Sequence, residues 1–179
     1  MTWFIGKKAH YKVIDEIGRE NDRGAAIIAA AMVEDYLSDT IKARLHSKGK
    51  VRADVVQKLF SDNSPLGSFA AKIDLGLVLG IYLEDAHADL HTVRLVRNQF
   101  AHRMSPISFN AGEPKRLCRD VRLIRQIRQM DISPEVKDLG VGVKNMPAKE
   151  RYIRTCKILI GILLGQYLQP PPLPSLPKF

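Results

Sequence analysis

The segment RGAAIIAAAMVEDYLSDTIKARL, residues 23–45, constrains the fold more than any other part of this chain. Its first half is apolar on every side of a helix, and the five alanines between residues 25 and 31 allow neighbouring backbones to approach closely. A helix that is hydrophobic all round has to be covered on all sides. We therefore expect this segment in the middle of a helical bundle, with Asp22 as its N-cap.

The remaining segments also have helical periodicity. No strand alternation, internal repeat or glycine-rich phosphate loop is visible, so the pattern predicts an all-α protein, a single bundle of about six or seven helices. The helices that begin near Arg23, Leu66 and Met146 are expected at its centre. Residues 1–168 are expected to form one helical domain, and the proline-rich residues 169–179 a disordered tail.

The net charge and the length of the apolar runs indicate which classes of partner the chain can bind. The net charge of +9 and the pI near 9.7 favour polyanions such as nucleic acid or acidic proteins. No apolar run reaches the ~20 residues that span a bilayer, and the N-terminus lacks a secretory signal, so we expect a cytoplasmic protein without membrane contact. Cys118 and Cys156 lie in different segments and are expected as reduced thiols. No cofactor is expected.

The run Arg97-Asn98-Gln99-Phe100-Ala101-His102 places polar and titratable groups inside an otherwise apolar helical segment. Burying such groups is costly unless they are paired. Glu34 interrupts the apolar 23–45 helix and is the candidate partner of a buried cation, with Arg97 as the first choice. Under this interpretation Arg97 and His102 are packed, hydrogen-bonded helix residues, and Glu34 and Arg97 form a structural pair.

The same run also supports a catalytic interpretation. Five residues on a helix separate Arg97 and His102 by about 140°, whereas Asn98 and His102 share a face. A composite site therefore requires that the helix end near His102 or that a second copy lie across a dimer axis. In such a cleft His102 moves a proton at a ribose 2′-hydroxyl and Arg97 holds the phosphate charge, without a metal.

This Arg-x4-His spacing, with Asn98 directly after the arginine, resembles the signature of the HEPN superfamily. HEPN domains are helical and occur in many metal-independent ribonucleases and toxins. The resemblance implies an endoribonuclease whose dimeric site contains Arg97, Asn98 and His102, with Asn98 orienting the reacting groups.

A wider resemblance covers roughly residues 23–109. The segments RGAAIIAAAMVEDYLSDTIKARL, LFSDNSPLGSFAAKIDLGLVLGIY and the run 90–102 are similar, in that order and spacing, to the mannitol operon repressor (MtlR-like) family. The block 65–74, PLGSFAAKID, is the most distinctive part. The resemblance implies an all-helical bacterial transcriptional regulator without a conventional DNA-reading motif, which acts through a protein partner. The strongly basic segment after residue 114 and the proline-rich tail depart from the family pattern.

Residues 114–130, PKRLCRDVRLIRQIRQM, are expected to form a basic amphipathic helix. Steps of three residues spread its arginines over half the circumference, where they can follow a phosphate backbone or form a solvated face paired with acids. The candidate nucleic-acid contacts are Arg116, Arg119, Arg122, Arg125 and Arg128. No aromatic side chain in this segment can stack on bases, and no helix-turn-helix pattern is present, so any nucleic-acid contact is expected to be nonspecific.

His87 and His91 lie four residues apart, a spacing at which two histidines on one helix face can hold a metal. No third ligand is evident from the sequence, so no metal site is predicted. The apolar stretch Ile158–Leu164 suits either the core or a homodimer interface. The sequence therefore favours a non-enzymatic regulatory domain with a protein partner or weak nucleic-acid contact, and its alternative is the dimeric ribonuclease.

Overall fold

The computed structural model describes residues 7–46, 52–129 and 134–168. All regular structure in these ranges is helical, which confirms the all-α prediction. The proline-rich tail, 169–179, lies outside the described residues. The α-helices are α1 (Lys7–Arg19), α2 (Asp22–His46), α3 (Ala53–Leu59), α4 (Phe69–Val78), α5 (Glu84–His102), α6 (Gly112–Asp120), α7 (Leu123–Gln126), α8 (Pro134–Lys137) and α9 (Ala148–Leu168).

The centre of the bundle is the pair α2 and α9, which have the most extensive contact, and α5 packs against both. The small residues on α2 let α9 approach closely, and the Tyr152 hydroxyl on α9 donates to the carbonyl of Ala26 at 2.8 Å. The apolar stretch Ile158–Leu164 belongs to this core, since Ile158, Leu159, Ile160 and Leu163 are buried within the chain. Burial of these side chains supplies the hydrophobic stabilisation that holds the two helices together.

The helix expected near Leu66 is shorter and less central than the sequence indicated. Only residues 69–78 are helical, and they pack chiefly on α2 and α5. A tight turn then reverses the chain, with Gly80 at a φ of 65°, a conformation that favours glycine. The turn is fastened to α4 by the Tyr82 hydroxyl, which donates to the carbonyl of Ile73 at 2.7 Å. As a result, α4 and α5 form a close antiparallel pair.

Asp22 is not the N-cap of α2, and the capping prediction was wrong. The side-chain oxygen of Asn21 accepts the backbone N–H of Gly24 at 2.8 Å, so Asn21 caps the helix. The Asp22 carboxylate instead accepts the backbone N–H of Phe109 at 3.0 Å and lies 3.3 Å from the Lys149 ammonium. Asp22 therefore joins the start of α2 to two distant segments.

The basic helix expected over 114–130 is broken after Asp120. Val121 is extended, and α7 begins at Leu123. The cause lies on α5, where the buried Asp89 carboxylate accepts the backbone N–H groups of Arg122 and Leu123 at 2.8 and 2.9 Å. These bonds cap α7, which a continuous helix would not permit, because the same N–H groups would then bind carbonyls of the preceding turn.

The described part of the segment between α7 and α9 contains short helical turns. The four residues of α8 are followed by 3-10 turns at Asp138–Gly140 and Val143–Asn145. Among the described helices, none is both long and apolar enough to cross a membrane.

Candidate functional site

The polar groups that the sequence singled out meet at the contact of α2, α4 and α5. Glu34 on α2 accepts from the Lys72 ammonium on α4 at 2.8 Å and from the Arg97 guanidinium on α5 at 3.4 Å. The Arg97 guanidinium also lies 5.9 Å from the ring centroid of Phe69, a cation–π arrangement. The structure thus places Glu34 and Arg97 together, and it adds Lys72, which the sequence analysis did not single out.

His102 is the last residue of α5 and is exposed, whereas Arg97 is half-buried and contacts α2 and α4. Asn98 is also half-buried. Near this end of α5, Arg23 donates to the carbonyls of Arg103 and Ser105, which fixes the chain where it leaves the helix. The helix ends at His102, as a composite site within one chain would require. Arg97, however, contacts Glu34 and does not share a cleft with His102.

The candidate arginines do not form one surface. Arg116 is paired with Glu113 and Asp120 on its own helix, and Arg122 with Asp85 on α5. Pairing with Arg116 also lowers the pKa of Glu113. Arg128 is exposed. Arg119 and Arg125 are exposed as well but line a cavity, so the break after Asp120 divides the series among different environments.

That cavity, which we call the basic cavity, has a volume of about 800 Å³ and lies between α6, α7 and the start of α9. Its cationic lining residues come from four separate segments, and among the described residues no acidic side chain lines it. The sequence did not indicate two of these cations, Lys144 and Arg151, because they are distant along the chain from the arginine series. The cations are Lys115, Arg119, Arg125, Lys144 and Arg151.

Arg151 is the most buried of these cations, at 7% exposed. Its guanidinium donates to the carbonyl of Val143, but its buried Nε has no hydrogen-bond partner among the described residues. Burial, followed by the charge of Arg125, lowers the pKa of Arg151. Arg151 thus brings a poorly solvated positive charge to the lining of the basic cavity.

A second cluster of polar side chains joins α4 and α5. The Nε2 atoms of His87 and His91 lie 2.9 and 3.1 Å from the same carboxylate oxygen, Oδ1 of Asp74. Hydrogen bonding to His87, and then to His91, lowers the pKa of Asp74. The expectation that His87 and His91 lack a third potential ligand was wrong. The signal in the sequence was an aspartate in an apolar helix shortly before a glycine turn.

The two cysteines are buried and unpaired with each other. Burial raises the pKa of the Cys118 thiol to about 12, and burial also raises the pKa of Cys156. Since the thiolate is the reactive form of cysteine, neither side chain is suited to nucleophilic chemistry.

No protein-family model and no curated protein matches the sequence. The fold does have a counterpart among solved structures, in the X-ray structure of the MtlR-HPr complex from Escherichia coli. The match covers 87% of this chain and 99% of that chain, with a TM-score of 0.58 and 14% sequence identity. The fold is MtlR-like. This confirms the fold implied by the wider resemblance, and the HEPN resemblance stays a prediction.

Proposed function

We propose that this chain is a non-enzymatic regulator of transcription that acts by binding a protein partner. The observation that carries the proposal is the likeness of its fold to that of MtlR, which extends over nearly all of the MtlR chain solved together with HPr. HPr is therefore the first partner to test. The regulatory domain corresponds to residues 1–168, which include all of the described helices.

The environment of Arg97 supports the non-enzymatic part of the proposal. The Arg97 guanidinium lies 3.4 Å from the Glu34 carboxylate and 5.9 Å from the centroid of the Phe69 ring, which is the arrangement of an ion pair between packed helices. Glu34 is in turn bound by Lys72. The three charges join α2, α4 and α5, and we assign Glu34 and Arg97 a structural role as a pair that fixes the relative positions of these helices.

Weak nucleic-acid contact is a second way in which the regulator can act. The net charge of +9 supports nonspecific binding, which falls steeply as the salt concentration rises. Within the candidate series, Arg128 is exposed, and Arg119 and Arg125 lie among cations without an acidic neighbour in the cavity lining. Arg116 and Arg122 already contact carboxylates and would contribute less.

The partner proposal is tested by titrating HPr into the tag-free chain at physiological salt in a calorimeter, together with size-exclusion chromatography of the mixture. We expect a complex with a Kd of about 10 µM or tighter, in the range of a specific interface. An unrelated protein matched to HPr in size and net charge serves as the control, and it should give no heat of binding.

Two results would count against the proposal. One is the absence of binding by a chain whose helical circular-dichroism spectrum shows that it is folded. The other is equal binding of HPr and the matched protein, which would indicate only nonspecific attraction to a basic chain. Where a complex forms, hydrogen exchange in the presence and absence of HPr maps the helices that it protects.

The metal-independent ribonuclease remains the second candidate function. The exposure of His102 at the very end of α5 favours it, as does the position of Asn98 one helical turn earlier on the same side. In this case a second copy of the chain would complete the site, and Arg97 would have to exchange Glu34 for the substrate phosphate.

A further inference from the structure

The cluster of Asp74, His87 and His91 has the geometry of three metal ligands. The three ligand atoms lie 2.9, 3.1 and 3.3 Å from one another, the last distance being that between the two Nε2 atoms. A metal about 2.0–2.1 Å from each ligand atom, with bond angles of about 90–110°, separates them by about 2.9–3.4 Å. All three observed separations fall in this range.

The fold holds the three side chains in place without the metal. His87 and His91 lie one turn apart on α5, with their ring centroids 4.6 Å apart and the rings nearly perpendicular. Asp74 lies on α4, and the tight turn between the helices is fixed by the hydrogen bond from Tyr82 to Ile73. The ligands are therefore positioned by a rigid helical pair, which reduces the ordering cost of binding.

Electrostatics also favours a cation at this point. Two protonated imidazoles would place their positive Nε2–H groups 3.3 Å apart, a repulsive arrangement. A metal ion instead binds the lone pairs of two neutral rings and the negative carboxylate of Asp74, so all three groups have one common partner. The side chains of His87 and His91 are 22% and 26% exposed and that of Asp74 is 64% exposed, so the cation can enter from solvent.

We propose that Asp74, His87 and His91 form a binding site for one divalent transition-metal ion of the zinc type. Two imidazoles and one carboxylate suit zinc, cobalt or nickel, whereas calcium and magnesium require oxygen ligands. Three protein ligands leave a coordination position open to water. The bound metal fastens α4 to α5 and so stabilises this part of the bundle.

The test uses tag-free protein that has been treated with EDTA and dialysed. Calorimetry with zinc chloride should show one ion per chain, and cobalt chloride should produce the visible absorption of a protein-bound cobalt ion. Because ligand binding stabilises the folded state, saturating zinc should raise the melting temperature by about 5 °C or more. Magnesium chloride at the same concentration should leave the melting temperature unchanged.

Variants decide whether the binding belongs to this cluster. Asp74→Asn, His87→Gln and His91→Gln should each weaken zinc binding about tenfold or more. His102→Gln, on the same helix and exposed, and His46→Gln, at the end of α2, should bind as the wild type does. Melting temperatures in EDTA verify that each variant is folded.

The proposal fails if the wild type shows no stoichiometric zinc binding. In that case the cluster is an ion-pair network between two histidines and an aspartate. It also fails if the control histidine variants lose as much zinc binding as the cluster variants, since the metal would then lie elsewhere.

A different observation supports a second proposal, at the basic cavity. Five cations line a space of about 800 Å³, and the buried Arg151 has an Nε donor without a partner among the described residues. The acids directly next to these cations along the chain, Asp120 beside Arg119 and Glu150 beside Arg151, pair with Arg116 and Arg154 outside this lining. The volume lies within the ~300–1,000 Å³ typical of small-molecule sites.

We infer that the basic cavity binds a small phosphorylated anion. The phosphate oxygens would accept from the guanidinium groups of Arg119 and Arg125, forming charge-assisted hydrogen bonds, and the charge of Arg151 in the lining would add to the attraction. Lys115 and Lys144 would add positive potential at the rim. Binding would relieve the mutual repulsion of these cations and so stabilise the contact of α6, α7 and α9.

Inorganic pyrophosphate is the probe, with sodium chloride at matched ionic strength as the reference. We expect pyrophosphate to raise the melting temperature, and Arg119→Ala and Arg125→Ala each to weaken its binding by about fivefold or more. Arg116→Ala is the matched control, because Arg116 lies on the same helix as Arg119 but pairs with Glu113 and does not line the cavity.

Two results would overturn this inference. One is a pyrophosphate effect no larger than that of the matched salt. The other is tight binding of single-stranded RNA that the cavity variants abolish while pyrophosphate does not compete, because the arginines would then form part of an extended nucleic-acid surface.

Discussion

The Glu34 carboxylate on α2 forms its shortest ion pair with Lys72 on α4, at 2.8 Å, and lies farther from Arg97, at 3.4 Å. Lys72 is only 8% exposed, so its charge depends on Glu34 for compensation. The ion pair of Glu34 and Lys72 therefore joins α2 to α4 and fixes their relative position. The Arg97 guanidinium contacts the other carboxylate oxygen of Glu34, so α5 takes part in the same contact.

We expect Glu34→Gln to destabilise the protein by about 2–3 kcal/mol, because it leaves the buried Lys72 ammonium without a counter-charge. Urea unfolding measures the change. Asp35→Asn, at the exposed neighbouring position, should lie within about 0.5 kcal/mol of the wild type. Lys72→Met in the Glu34→Gln background should recover part of the loss, and a lack of recovery would contradict the pairing.

Asp89 should make stability fall as the pH rises from about 4 to about 6. Burial raises its pKa to about 6, whereas an unfolded aspartate titrates near pH 3.9. Between these values the folded state binds more protons than the unfolded state, so the contribution of Asp89 to the free energy of unfolding decreases with pH and levels off above about pH 7. The difference between these two pKa values corresponds to about 3 kcal/mol when both titrations are complete.

The Asp89 contribution is isolated by comparing the wild type with Asp89→Asn from pH 4 to pH 7. From pH 4 to pH 7 the free energy of unfolding of the wild type should fall by about 2 kcal/mol relative to that of Asp89→Asn, because part of the unfolded-state titration lies below pH 4. Titration of the other acids is common to both proteins and cancels. A difference that does not vary with pH would show that Asp89 keeps an ordinary pKa.

Arg97 and His102 should differ in their effects on stability. Arg97→Ala removes a half-buried partner of Glu34 and should cost about 1–3 kcal/mol, whereas His102→Ala, at an exposed helix end, should cost less than about 0.5 kcal/mol. Thermal melting measures both. Single-stranded RNA incubated with wild-type protein in EDTA should remain intact, as the regulator proposal requires. Cleavage that His102→Ala abolishes at an unchanged melting temperature would establish the ribonuclease instead.

Gly76→Ala should destabilise the protein by about 1–3 kcal/mol although alanine favours helices. A Cβ at this position would overlap the Tyr82 ring and hydroxyl, which hold the turn between α4 and α5. Gly112→Ala is the matched control, because a Cβ there meets nothing within 4 Å. Equal unfolding midpoints in urea for the two variants would argue against this close contact.

The sequence by itself determined the helical class and most of the helices. Apolar periodicity is a local property of the sequence. The first half of residues 23–45 is apolar on every side, so other helices must pack around it, and its central position in the bundle follows. The same logic predicted that Glu34 needs a cation and named Arg97. It could not select Lys72, because the register of α4 against α2 depends on packing between distant segments.

Only the tertiary structure decided where the basic segment breaks and which polar groups meet. The periodicity of residues 114–130 continues through Val121, but Asp89 on α5 captures the N–H groups of Arg122 and Leu123 and starts a new helix there. That break separates the arginines and turns two of them toward Arg151. Likewise, Asp74 meets His87 and His91 only because a glycine turn folds α4 back on α5. These pairings depend on long-range geometry, which local sequence patterns do not encode.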